Sequence, residues 1–163
     1  MRNFIFILLI LASPLASFGQ SETIQKWHKK YDDAFVMFFY KSTLNMLNIQ
    51  DSKEFEELIK DIDKMKLLRI DKEKFSFSKE QYKELVSDYR GEDFEELMTL
   101  KQKEMKINAY IKEDGGDTEG IVVLLNEASN LIILDIKGSV PLAKIAELAK
   151  YAENFSKSNI SFD

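Results

Sequence analysis

Two apolar runs, one unbroken and one interrupted only by Asp135, set the strongest limit on how this chain can fold. Ile121 to Leu125 and Leu131 to Ile136 are each bounded by turn residues: Gly115 and Gly116 upstream, Ala128-Ser129-Asn130 between them, Gly138 downstream. Runs of this length, rich in Ile, Val and Leu, read as strands. Successive side chains of a strand point to opposite faces. A strand without polar alternation must therefore hide both of its faces. A third run, Phe35 to Tyr40, carries no polar group except a terminal tyrosine and reads the same way. Either helices cover both sides of such a sheet, or part of one face meets a partner.

The rest of the chain supplies the helices and the other strands. Ser21 can cap a helix whose face carries Ile24, Trp27, His28 and Tyr31. Lys41 to Ile49 reads as a short helix with Leu44 and Leu47 inward. Asp51 and Glu54 have capping-box spacing, so a helix is expected from Ser52, with Phe55, Leu58, Ile59, Ile62 and Met65 as its stripe. Lys66 to Ile70 is a second strand, and Asp71 to Phe77 a charged connection. Ser78 with Gln81 is another capping box, followed by a stripe of Tyr82, Leu85, Val86 and Tyr89 and by Gly91 as a stop. Glu95 to Lys103 is a strand. Met105 to Lys112 alternates, with Met105, Ile107, Ala109 and Ile111 on one face and Lys106, Asn108, Tyr110 and Lys112 on the other. The last four strands form an antiparallel meander. Pro141 opens a final helix with Leu142, Ile145, Leu148, Ala149 and Ala152 inward. The expected fold is α+β: a mixed, mostly antiparallel sheet of about six strands with helices packed mainly on one face.

The beginning of the chain reads as an address. Arg2 precedes an apolar run from Phe4 to Ala12, and Pro14, Ser17 and Gly19 complete a signal-peptide pattern with cleavage after Gly19 or Gln20. The run is shorter than the about 20 residues needed to cross a bilayer. The expected organisation is a cleaved signal peptide at 1–19, one α+β domain at 20–155 and a polar tail at 156–163. The expected location is periplasmic or secreted, with no stable membrane anchor after cleavage.

Composition removes several functions. The 163 residues hold no cysteine and one histidine, so disulfide scaffolds, thiol nucleophiles and cysteine-based zinc sites are excluded. A net charge of -5 argues against nucleic-acid binding, which needs clustered Lys and Arg. Any nucleophile–histidine arrangement would have to use His28, which lies beside Trp27, Lys29 and Lys30 and reads as a packing residue. The acidic turn Glu113, Asp114, Asp117 and Glu119 could offer oxygens to calcium, but lacks the EF-hand spacing and reads as a hairpin loop. The carboxylates Glu56-Glu57, Asp61, Asp63 and Glu95-Glu96 fall on faces expected to be solvated. No P-loop, Gly-x-Ser-x-Gly or dinucleotide fingerprint occurs. No catalytic residue, metal or cofactor is assigned. Phe75 and Phe77 in a loop and Tyr110 on a polar strand face are the candidate interaction surface.

Three passages together resemble a known family. They are Lys29-Lys30-Tyr31 running on to Leu47; Leu97-Met98 to Lys112 with the strand end Ala109-Tyr110-Ile111-Lys112-Glu113; and Leu131 to Leu148, where a strand and a Gly-Ser turn lead into a helix bearing Leu142, Ala143, Ile145, Ala146, Leu148 and Ala149. The chain is similar there to the Bacteroidetes envelope family named domain of unknown function 4252, over about Ile24 to Ala152. Many members of that family look like lipoproteins; this chain has no lipobox cysteine. The resemblance implies an exported protein without an assigned activity, and a link to envelope-stress signalling. The function expected is that of a non-catalytic envelope protein, not an enzyme, that binds an unknown envelope protein or itself. The alternative is a small periplasmic hydrolase or a small-ligand or calcium-binding protein.

Overall fold

The computed structural model describes residues 20–48 and 51–157. The expected signal peptide, the end of the expected helix at Ile49 and the last residues of the tail lie outside that range. Along the chain the elements are α1 (Glu22–Lys30), β1 (Phe35–Tyr40), α2 (Lys41–Met46), α3 (Lys53–Ile59), β2 (Ile62–Asp71), α4 (Lys79–Gly91), β3 (Glu95–Gln102), β4 (Met105–Asp114), β5 (Asp117–Asn126), β6 (Asn130–Gly138), a 3₁₀ turn (Leu142–Lys144) and α5 (Ile145–Lys157).

The six strands form one sheet in the order β1-β2-β6-β5-β4-β3. The α+β class and the C-terminal meander are as expected. Every neighbouring pair is antiparallel, so the sheet is not mixed. The most apolar strands, β5 and β6, sit at its centre, where both faces are covered. Odd-numbered residues of β5, Ile121, Val123 and Leu125, join Ile132, Leu134 and Ile136 of β6 on one side. Leu44 of α2, Leu58 and Ile59 of α3, and Ile145, Leu148, Ala149 and Ala152 of α5 cover them. Val122 and Leu124, with Leu131 and Ile133, face the other side and meet Ile24 and Trp27 of α1 and Leu85 and Tyr89 of α4. Helices therefore lie on both faces, not mainly on one. That is the arrangement two-faced apolar strands require.

Local capping fixes the starts of α1 and α4 as read from the sequence, and that of α3 one residue later, at Ser52 and not Asp51. Ser21, Ser52 and Ser78 accept hydrogen bonds from the amides of Ile24, Phe55 and Gln81, and Gln81 returns the bond to Ser78 in a full capping box. Two readings change. The helix from Ser52 stops at Ile59, and Ile62 and Met65 belong to β2. Their spacing of three mimics a helix because the register shifts between Ile62 and Lys64, and an irregularity of that kind puts residues three apart on one strand face. The second change concerns β1, which is not buried on both faces. It is the sheet's first strand; Phe39 is buried, but Phe38 is 47% and Tyr40 59% exposed. An apolar run says that both faces carry apolar side chains; only the strand's place in the sheet decides whether both are covered.

Gly138 closes β6 where no other residue fits. Its φ is +112°, and a Cβ there would lie 2.1 Å from the Asp61 carbonyl oxygen. The next amide, Ser139, donates to that same carbonyl, tying the end of β6 to the start of β2. α5 then runs through Asn154 to Lys157, past the expected start of the polar tail.

Candidate functional site

Three features stand apart from ordinary core: a buried carboxylate, a cluster of aromatic rings beside α1, and the outer strand β1.

The carboxylate is Asp135 of β6, 2% exposed. Alternation puts it on the α1/α4 face, between apolar neighbours. It takes its hydrogen bonds from helix residues above it. The Ser21 hydroxyl donates to one oxygen, the Ser21 amide approaches the other at 3.4 Å, and the Tyr89 hydroxyl lies 3.2 Å away. The Ser21 hydroxyl at the same time accepts from the Ile24 amide, and the Glu92 carboxylate accepts from the amides of Glu22 and Thr23. One polar cluster thus anchors the first turn of α1 to both β6 and the end of α4. Burial pushes the Asp135 carboxyl up to about 6, against the pull of the Ser21 and Tyr89 hydrogen bonds. Burial likewise raises the Tyr89 hydroxyl. A cleft of about 670 Å³ opens beside this cluster; Gln20, Glu92, Lys112, Glu119 and Lys137 line it together with Asp135. Residues of both charge signs line it, and the Ser21 hydroxyl beside it both caps α1 and donates to Asp135.

Lys66 lies directly opposite Asp135 in the β2–β6 register and is 3% exposed. Its ammonium lies 5.0 Å from the centre of the Phe38 ring. Burial lowers the Lys66 pKa, partly offset by the Asp135 charge.

The aromatic cluster holds two of the three residues singled out from the sequence. Phe75 meets Tyr31 edge-on at 5.3 Å, and Phe77 lies 6.1 Å from both Trp27 and Tyr31. Both are half-buried against the core under α1 and α4. Tyr110 is 2% exposed, packed in that same core. It does not join Phe75 and Phe77 at the surface. The face of β4 that looked polar is covered by α4: Tyr82 donates to Asn108 at 2.9 Å, and Asn108 is buried as well.

His28 packs its ring 6.1 Å from Phe38. Burial, then the Lys66 charge, lowers its pKa, which favours the neutral imidazole. The acidic turn is the β4–β5 hairpin, with Gly115 and Gly116 at φ of +59° and +89°. Among the described residues, no three His, Cys, Asp or Glu groups gather in a way that could hold a metal ion. Glu56, Glu57, Asp61, Asp63, Glu95 and Glu96 are exposed.

The outer strand β1 was missed as a site because its apolar run reads as core. Phe38 and Tyr40 project from the α1/α4 face of the sheet, and Met46, 78% exposed, follows at the end of α2. Among the described residues no strand lies beyond β1. The opposite edge differs. β3 carries Glu95, Glu96 and Lys101, the charges by which natural sheets discourage edge pairing. β1 has no charge over its length.

No helix among the described residues is long and apolar enough to cross a membrane. The family model described as Domain of unknown function (DUF4252) matches residues 28–148, and the chain belongs to that family. No curated protein and no solved structure matches the chain.

Proposed function

We propose that this member of the family is an exported, non-catalytic protein that works in the cell envelope by binding another polypeptide through the β1 edge. The observation that carries the reading is the pairing of an uncharged outer strand with exposed Phe38 and Tyr40, while the other edge of the sheet is charged. An uncharged edge strand is a template for another chain. The aromatic side chains beside it are of the type that anchors protein interfaces. A signal-peptide pattern at residues 1–19 supports export, and envelope-stress signalling is the process in which the binding would act.

The hydrolase alternative is less favoured. His28 packs on an aromatic ring with a lowered pKa, and Ser21 is committed to Asp135 and to the Ile24 amide. The test is replacement of Phe38 and Tyr40 by Ser in the exported, tagged protein, with partner capture as the readout. Capture lost while the circular dichroism spectrum is unchanged supports the reading. Capture at wild-type level rejects the β1 surface.

A further inference from the structure

We propose that residue 20 is a modification site: when the leader is cut after Gly19, the α-amine of Gln20 attacks the amide carbon of its own side chain, and the mature chain begins with a pyroglutamyl lactam. The inference rests on the reading of this protein as exported and goes beyond it. Ser17 and Gly19 put small residues at the two positions that cleavage needs, which leaves Gln20 as the first residue. Ring closure forms the bond from the amine nitrogen to Cδ and breaks the bond from Cδ to Nε2. The side-chain nitrogen departs as ammonia, with the proton that the amine gives up. Nothing is oxidised or reduced, and no co-reactant is needed. An α-amine has a pKa of about 8, so a usable fraction is the free base at neutral pH.

The fold leaves the reacting side chain free and uses the groups that the reaction spares. Gln20 is half-buried and lines the cleft beside Asp135. Its main-chain carbonyl accepts from the Gln25 side chain at 3.2 Å, and the next amide, that of Ser21, approaches Asp135. Both groups survive ring closure. The Gln20 side-chain amide has no hydrogen-bond partner among the described residues, so nothing there holds it away from the amine. A free ammonium at this point would stand just ahead of α1, at the positive end of its dipole. It would also compete for Asp135 and Glu92, which accept from Ser21 and from the amides of Glu22 and Thr23. The lactam removes the terminal charge and leaves both carboxylates to the start of the helix. It also denies aminopeptidases the free amine that they need.

The test reads the end of the chain directly. Exported protein is recovered and digested with trypsin, and the peptide of residues 20–26, which ends at Lys26, is examined by mass spectrometry. A mass lower by one ammonia than that of the open peptide is expected, with no product in stepwise degradation from the amino end. A synthetic peptide of the same sequence with open glutamine, carried through the same handling, measures closure during preparation; most of it should stay open. Gln20→Asn should be cut at the same place and keep a free amine, because its shorter side chain could close only a strained four-membered ring. An open glutamine at residue 20 of the exported protein, closure no greater than in the synthetic peptide, or a chain that begins at Ser21 overturns the lactam and leaves export standing. A chain that keeps its leader overturns both.

Discussion

Replacing Asp135 by Asn should make the protein more stable at neutral pH, and only there. An aspartate in the unfolded chain titrates near 3.9. In the fold Asp135 titrates at about 6, because burial penalises the carboxylate more than Ser21 and Tyr89 help it. The folded protein therefore holds this proton more tightly than the unfolded one. Between the two pKa values the folded state binds more protons, so stability falls as pH rises, and the full cost is present above about 6. At about 1.4 kcal/mol per pH unit, the cost is ~3 kcal/mol. Asparagine removes the charge and keeps the shape. Its carbonyl, in the place of Oδ2, can accept from both the Ser21 and the Tyr89 hydroxyls, and only the 3.4 Å approach of the Ser21 amide to the other oxygen is lost. The assay is urea unfolding of both proteins from pH 4 to 8. The variant should match the wild type near pH 4 and exceed it by ~2–3 kcal/mol above pH 7, roughly 10 °C in Tm. Asp33, Glu84 and Asp88 have the opposite linkage: their basic partners lower their pKa values, so they stabilise the fold at neutral pH and lose that contribution in acid. Both proteins share these groups, so they cancel in the difference. A variant less stable than the wild type at pH 7.5, or a difference that does not change with pH, would refute the argument.

Gly138→Ala should be among the most damaging single changes, since the new Cβ would run into the Asp61 carbonyl at a positive φ. A loss of ~3 kcal/mol or more, or no soluble protein, is expected in the same unfolding assay, and a wild-type midpoint would contradict it. Trp27→Phe removes the indole hydrogen bond to Asp88, 2.7 Å long, and part of a fully buried side chain; it should cost ~2 kcal/mol, read as a lower urea midpoint. Ser78→Ala breaks the capping box of α4 and should cost ~1 kcal/mol, with helix content by circular dichroism otherwise kept. Millimolar calcium should leave Tm unmoved, whereas a rise of several degrees would restore the acidic β4–β5 turn as a metal site.

The sequence was most informative where the signal is local. The Ser21 and Ser78 caps, the Gly115-Gly116 hairpin and the stripes of α1 and α4 follow from chemistry within a few residues, and they stand where the pattern put them; the α5 stripe holds from Ile145 on, but Leu142, expected inward, sits 54% exposed in the preceding 3₁₀ turn. It was least informative where the sheet order decides. Phe35–Tyr40 and Ile121–Leu125 look alike as strings, yet one is an outer strand and the other lies at the centre. Tyr110 looked solvent-facing because Lys106 and Lys112 share its strand face; α4, brought over from the far end of β2, covers that face between them. Ile62 and Met65 looked helical because an irregular register gives a strand a helical spacing. Asp135 is one acid inside an apolar run, and only the fold shows that Ser21 and Tyr89 converge on it from far away in the chain. In each case the missing information is the identity of a neighbour distant in sequence.

The most direct measurement is photo-crosslinking in cells, with a photoreactive residue placed at Tyr40 of the exported protein and, separately, at Leu100 on the charged edge. Binding through β1 predicts a discrete protein adduct from position 40 and none of comparable yield from position 100. Adducts from position 100 alone, or none from position 40, would contradict it.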